Sequence, residues 1–233
     1  MSHNSVKDLA EKRLSRWYRF LLPPLPIYSN SAEFDRQPPL GRWNLYIGGA
    51  GSRVDGYVNV DLIPLKGVDV VCDAARLPFR DNIFERVELD AVLEHTPEPR
   101  AIVDDIRRCL TVGGWLHVVV PFCHPFHEYP RDYFRFTPDG LALLMAPLEI
   151  VSSGWRTGPT STLLVFILEY AKLWFKSHFL KRVVHFILGW LLFPLRYLDA
   201  WLLRKPDANQ IGNHCFVWAR KGRGIKKVAD SYG

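Results

Sequence analysis

No two of the four cysteines stand at CxxC spacing: Cys72, Cys109, Cys123 and Cys215 are scattered along the 233 residues. Such a pattern reads as isolated, reduced thiols in a cytosolic protein rather than a disulfide framework. A cleavable signal peptide is also missing from the opening of the chain, where Lys7, Asp8, Glu11, Lys12 and Arg13 interrupt any apolar run. The GxGxxG fingerprint is absent, because Gly48, Gly49, Ala50, Gly51 and Ser52 do not make it. That speaks against a nicotinamide-dependent oxidoreductase. A membrane span wants roughly twenty apolar residues with few charges. Val183 to Leu203 has the length but carries Pro194, Arg196 and Asp199.

The composition that is present is globular and apolar. Hydrophobic residues make up 48% of the chain, so it can bury a sizeable core, and the length suits one α/β domain with an appendage. Aromatics reach 13%, with eight Trp, a level that points to a surface meeting something apolar. The net charge of +6 favours anionic partners: a membrane surface, a nucleic acid or an acidic substrate.

Residues 5 to 21 read as a basic amphipathic helix, with Leu9, Leu14, Trp17 and Leu21 near helical spacing and Pro23, Pro24 and Pro26 ending it. Alternating elements begin at Trp43. Leu45–Ile47, Val58–Val60, Val68–Cys72 and Val87–Asp90 are the first four strand candidates. Pro97 and Pro99 open a helix with the apolar face Ile102, Val103, Ile106 and Leu110, which Gly113-Gly114 is expected to end. Trp115 to Val120 is almost wholly apolar and β-branched, as a strand covered on both faces should be. A helix from Thr137-Pro138, a strand over Leu148–Ser152 and a last strand over His214–Ala219 follow. The links between the first three strands are too short for the usual helical crossovers. Either these links are reduced to loops or one sheet face lacks its helices, and the C-terminal apolar segments are the expected cover of a bare face. Those segments, within 163 to 204, are flanked by Lys181, Arg182, Arg204 and Lys205, the arrangement of an in-plane membrane contact; burial against the sheet and a true span are the alternatives.

Trp43 to Asp61 is the organising stretch. A short apolar strand runs into Gly48-Gly49-Ala50-Gly51, whose small residues let a ligand approach the backbone, and a second strand ends in Asp61, able to accept both hydroxyls of a ribose. The pattern suits a nucleoside-containing cofactor at the carboxyl ends of a parallel sheet. Further on stand Asp73-Ala74, Leu77-Pro78-Phe79, Leu93-Glu94-His95 and Gly113-Gly114. In this order, over roughly residues 43 to 152, the chain resembles the class I S-adenosylmethionine-dependent methyltransferases, specifically the type 11 methyltransferase group.

The resemblance implies a Rossmann-like sheet and S-adenosylmethionine as cofactor. It would set Gly48 and Gly49, with Gly51 in the same loop, against the methionine and ribose, Asp61 on the ribose hydroxyls, Asp73 on the adenine amine with Ala74 beside it, and Leu77 on the ring. Residues near Asp90 to Val92 would wall the sulfonium. The sequence departs from the family at Tyr46, where many members carry an acidic residue, and at Ala50 and Ser52. The helix after the glycine loop, whose N-terminus normally helps hold the cofactor carboxylate, is missing or very short; Arg53 or the N-terminal segment is the candidate for that part.

Methyl transfer to oxygen or nitrogen needs in-line positioning and a base where the acceptor loses a proton. His124, His127 and Asp132, just after the fifth strand, are the candidates, since loops at that edge face the ligand crevice and His titrates near neutrality. They could instead be structural, packing the loop through Tyr129, Tyr133 and Phe136. A metal on His124, His127 and Glu128 is disfavoured by Pro125 between the histidines, so no metal is expected. His95 reads as a structural residue at a helix start.

The run Asp132-Tyr133-Phe134-Arg135-Phe136-Thr137-Pro138 is similar to a segment in methyltransferases associated with bacterial surface glycans and lipid-linked sugars. The expected organisation is a basic N-terminal segment (1–36), a methyltransferase core (37–158), an apolar helical insertion (159–208), and a last strand with a basic tail (209–233). The expected activity is methyl transfer, to oxygen, on a glycan or lipid-linked acceptor, in the cytoplasm with peripheral contact to the cytoplasmic membrane face. The rival is a non-catalytic membrane-associated protein that keeps the fold. Nucleic-acid modification is suggested by charge alone, and Lys221, Arg223, Lys226 and Lys227 read equally as a solvated tail.

Overall fold

A computed structural model describes residues 22–30, 33, 37–128 and 130–222. The expected N-terminal helix, Tyr129, and the tail residues Arg223, Lys226 and Lys227 lie outside them. Seven strands form one sheet in the order β3-β2-β1-β4-β5-β7-β6. They are β1 (Asn44–Ile47), β2 (Val58–Asp61), β3 (Val70–Val71), β4 (Phe84–Asp90), β5 (Leu110–Pro121), β6 (Glu149–Trp155) and β7 (His214–Arg220). The first five run parallel, and β7 lies antiparallel between β5 and β6. This is the Rossmann-like sheet expected from the sequence, with its first crossovers shortened to loops.

One face carries the aliphatic core. Leu45, Val87, Leu116 and Val118 are fully buried there against Ile102, Val103 and Ile106 of α1 (Pro99–Cys109) and Leu141 and Met145 of α2 (Pro138–Met145). Burying one such aliphatic side chain contributes about 1.5–3 kcal/mol. Proline opens both helices, where its missing N–H costs nothing. Thr137 caps α2 by accepting the Gly140 amide at 3.0 Å. The boundary after α1 differs from expectation. The helix ends at Cys109, and Leu110 already pairs with Phe84, so Gly113 (φ +83°) lies within an irregular stretch of β5 and is not the helix stop.

The links β1–β2 and β2–β3 contain no helix. The opposite sheet face is not covered by the C-terminal segments, which corrects that expectation. Its side chains Arg86, His117 and Trp218 are polar-tipped and need partners, and the N-terminal segment supplies them. Arg86 Nη1 donates to Pro38 O at 2.7 Å, Trp218 Nε1 donates to Glu33 O at 3.0 Å, and the Glu33 carboxylate lies 2.8 Å from His117 Nε2. Apolar helices could satisfy none of these groups.

Residues between β6 and β7 form α3 (Pro159–Leu173), α4 (His178–Leu192), a 3-10 turn (Phe193–Leu198) and α5 (Asp199–Leu202), which pack chiefly on one another. Asp199 is fully buried and holds this insertion to its own root. Its carboxylate accepts the Thr160 amide at 2.8 Å and the Ser161 amide and hydroxyl at 2.9 and 2.6 Å, at the first turn of α3. Leu173, Trp174 and Phe179, at the far end of the pair, are 72–76% exposed. His178–Leu202 is long and apolar enough to cross a membrane by length and composition, and only 11% of its most apolar window is buried.

Candidate active site

A cavity of about 250 Å³ opens at the carboxyl ends of β1, β2, β3 and β4. Gly48, Asp61, Asp73 and Ala74, all expected at the cofactor, line it, as do Ala91 and Val92 from the expected sulfonium wall. Gly48 has φ +79°, and a Cβ on it would stand 2.4 Å from Val92 Cγ2, so only glycine lets the β1 loop pass the β4 loop. Asp61 Oδ2 accepts the Ala50 amide at 3.0 Å and Oδ1 the Ile63 amide at 3.2 Å, which ties the glycine turn to the end of β2 and fixes the carboxylate at the cavity wall. Asp73 Oδ1 accepts the Ala75 amide at 2.9 Å.

Other expected cofactor residues sit elsewhere. Gly49 is needed by the turn itself, where a Cβ would meet Ser52 O at 2.6 Å. Gly51 faces Leu65 across the β2–β3 link. Leu77 is buried in the core, its amide donating to Asp105 Oδ2 at 2.7 Å. Asp90 accepts Arg156 Nη1 at 2.5 Å. Tyr46 meets Tyr57 edge-on at 6.0 Å, and burial, with Asp90 and Glu88 nearby, pushes its hydroxyl up to about 12. Arg53 pairs with Asp69 at 2.6 Å rather than facing the cavity. Sequence reasoning missed Leu62, Ile63, Thr96, Pro97 and Pro130 as lining residues and underrated His95, which also lines it. His95 follows Leu93-Glu94 in a turn (Leu93–His95) directly after β4, and that position was the available signal.

Beside the cavity four histidines meet in a row. Ring centroids are 4.9 Å apart for His95–His127 and 5.0 Å for both His127–His124 and His124–His214. The loop after β5 brings His124 and His127 together, with Asp132 behind them. His124 Nδ1 lies 2.9 Å from Asn213 Oδ1, and burial lowers its pKa. Burial first, then His124, pushes His214 down to about 3. The Asp132 carboxylate is committed to Arg135, including a 2.6 Å bond to Nη2, and to the His127 amide at 2.8 Å. Those bonds hold it at about 2 and tie the loop to Arg135. His127 is the most open of the set, with its side chain 35% exposed. Glu94, between His95 and His127, is fully buried with neither carboxylate oxygen meeting a donor among the described residues, and burial pushes it up to about 7.

Comparison with known proteins agrees with this geometry. A family described as a methyltransferase domain matches residues 57–118. The ubiquinone/menaquinone biosynthesis C-methyltransferase UbiE of Desulfotalea psychrophila is 32% identical over 83 residues, which are 34% of this chain and 32% of that protein. The match thus spans about a third of the length of that curated relative. Among solved structures, the 4+2 cyclase SpnF aligns over 83% of this chain and 80% of its own, with 18% identity and TM-score 0.52. Phosphoethanolamine N-methyltransferase 2 of Haemonchus contortus, solved with S-adenosyl-L-methionine, aligns over 82% of this chain and 52% of its own, also at 18% and 0.52. These two structures show the fold. Together with the sequence matches, which span about a third of the chain, they bear out the resemblance to methyltransferases at the level of the fold.

Proposed function

We propose that this protein is an S-adenosylmethionine-dependent methyltransferase acting on an oxygen of a glycan or lipid-linked acceptor, at the cytoplasmic face of a membrane. The observation that carries the reading is the convergence of Gly48, Asp61, Asp73 and Val92 on one cavity whose rim is His95. The residues fit the cofactor: the Cβ-free Gly48 admits close approach, Asp61 presents a fixed carboxylate to a diol, and Ile47, Val60 and Ile102 give apolar walls for a purine. When bound, the cofactor supplies an electrophilic methyl group. The chain's part is to hold the acceptor in line and to ease the loss of its proton, and His124 and His127 are the groups nearest to that task.

The acceptor class is supported by the insertion. Its apolar side chains are open to solvent, Tyr170, Trp174, Trp190, Tyr197 and Trp201 have the amphipathic rings favoured at a bilayer interface, and Lys181, Arg182, Arg204 and Lys205 flank them. Asp199, buried at the root, favours a helix pair lying in the interface over a free span, because spanning would draw that carboxylate into the hydrocarbon.

Fold alone does not decide the chemistry, as the cyclase relative illustrates. The test is calorimetric titration of the full chain with S-adenosylmethionine and its demethylated product, beside Asp61→Ala. Saturable binding that weakens about a hundredfold in Asp61→Ala, the loss of two charge-assisted hydrogen bonds, is the expected result. Absence of binding to the folded protein would favour a non-catalytic membrane-associated protein. Sedimentation with anionic vesicles, lost in Trp174→Glu with Phe179→Glu, tests the membrane contact separately.

A further inference from the structure

We infer that Glu94, His95 and His127 form a binding site for one divalent transition-metal ion at the rim of the cofactor cavity. The inference deepens the proposed function and rests on it only for the part the ion plays with the acceptor. Glu94 Oε1 lies 3.8 Å from His95 Nε2 and 4.0 Å from His127 Nε2, and the three ligand atoms all lie within 4.8 Å of one another.

The tautomers decide what those nitrogens can do. His95 Nδ1 lies 2.6 Å from Arg131 O, so it must carry the proton and donate it. His127 Nδ1 lies 3.3 Å from Pro125 O and 3.5 Å from Asp132 Oδ2, and between two acceptors it too carries the proton. In the neutral form of either ring the lone pair therefore sits on Nε2, the atom that faces Glu94 Oε1. A backbone carbonyl on the far nitrogen is the usual outer support of a metal-bound imidazole. Glu94 adds the independent observation. It is fully buried, and neither of its oxygens meets a hydrogen-bond donor among the described residues. Leaving a buried carboxylate unsatisfied costs several kcal/mol on the order given for uncompensated polar burial. At 3.8 and 4.0 Å the two imidazoles are too far to hydrogen-bond to it. Three lone-pair donors facing one another are answered by a cation.

Two imidazole nitrogens and one carboxylate suit zinc, or a neighbouring first-row ion, and not magnesium or calcium, which take oxygen ligands. In tetrahedral zinc the ligand atoms stand roughly 3.4 Å apart, so from separations of 3.8 Å to at most 4.8 Å the set must close by about 1.4 Å at most. The half-exposed His127 loop can give that movement. Because His95 belongs both to this set and to the cavity wall, the ion would stand where an acceptor hydroxyl enters and would lower the pKa of that hydroxyl. His127 would then act through the ion, leaving His124 to receive the proton.

The test uses the full chain, stripped by chelator and titrated calorimetrically with zinc chloride, with magnesium chloride as comparison and cobalt(II) absorption as a probe of ligand geometry. One zinc per chain, tetrahedral cobalt bands, and binding weakened about tenfold or more in both Glu94→Gln and His127→Ala are expected. Zinc binding that is absent, or unchanged in His127→Ala, whose loop position spares the core, would overturn the site. S-adenosylmethionine binding is measured on the same samples. Its loss with zinc binding intact refutes the proposed activity alone, and the converse refutes the metal site alone.

Discussion

Glu33 helps close the sheet face that carries Arg86, His117 and Trp218, and replacing it with alanine should destabilise the whole protein. Its side chain is 0% exposed and accepts Arg156 Nε at 2.7 Å and Nη2 at 2.6 Å, with His117 Nε2 at 2.8 Å. Burial raises the Glu33 carboxyl, but the bonds from His117 and Arg156 outweigh it and hold its pKa below the ordinary range. Removing one member of a buried ion pair costs about 3–5 kcal/mol, because the partner charge stays behind. Here Arg156 keeps Asp90 at 2.5 Å and His117 can fall back on Glu88 at 3.6 Å, so the lower end, about 3 kcal/mol, is expected. For a chain of this size that is a fall in Tm of about 6–12 °C. Thermal melts and urea titrations followed by circular dichroism would read it, and Glu33→Gln, which keeps the shape and an acceptor, should lose less. A fall in Tm of under about 2 °C in Glu33→Ala would mean that the N-terminal segment does not close this face.

Stability should also fall in acid. Burial raises Glu88, but His117, Tyr57 and Arg86 outweigh it and hold it at about 2, below its unfolded value of 4.5. A depressed carboxylate stabilises the fold above its unfolded pKa, and that contribution is lost as pH drops through the interval toward 2. The urea midpoint should therefore drop below pH 4.5, and Glu88→Gln should flatten that dependence; an unchanged slope would refute the assignment. Gly48→Ala should weaken S-adenosylmethionine binding about tenfold, since φ +79° is strained for alanine and its Cβ would overlap Val92. Adding Val92→Ala should recover part of the affinity, and no recovery would show that the contact is not the cause. Asp199→Ala removes the acceptor for two amides at the start of α3 and should cost about 2 kcal/mol. Hydrogen exchange in residues 159–165 is the readout, with unaltered protection there as the refuting result.

Much of the fold was legible in the sequence because strands and helices announce themselves by local periodicity. Leu45–Ile47, Val58–Val60 and Trp115–Val120 alternate or run apolar as buried strands must, Pro99 and Thr137-Pro138 mark helix starts, and the links around Ser52–Gly56 are visibly too short for helices. The cofactor cradle was readable for the same reason: Gly48, Asp61, Asp73 and Ala74 lie at the ends of consecutive strands, and a parallel sheet delivers strand ends to one edge. What covers the second face depended on which distant segment could satisfy Arg86, His117 and Trp218, and no local pattern encodes that Glu33 and Pro38 do so. Tertiary structure likewise decided that Asp132 belongs to Arg135 and that Glu94 is buried between two histidines from different loops. Sequence spacing reports a residue's neighbours along the chain, whereas protonation, partnership and ligand geometry are set by groups that only folding brings within a few ångströms.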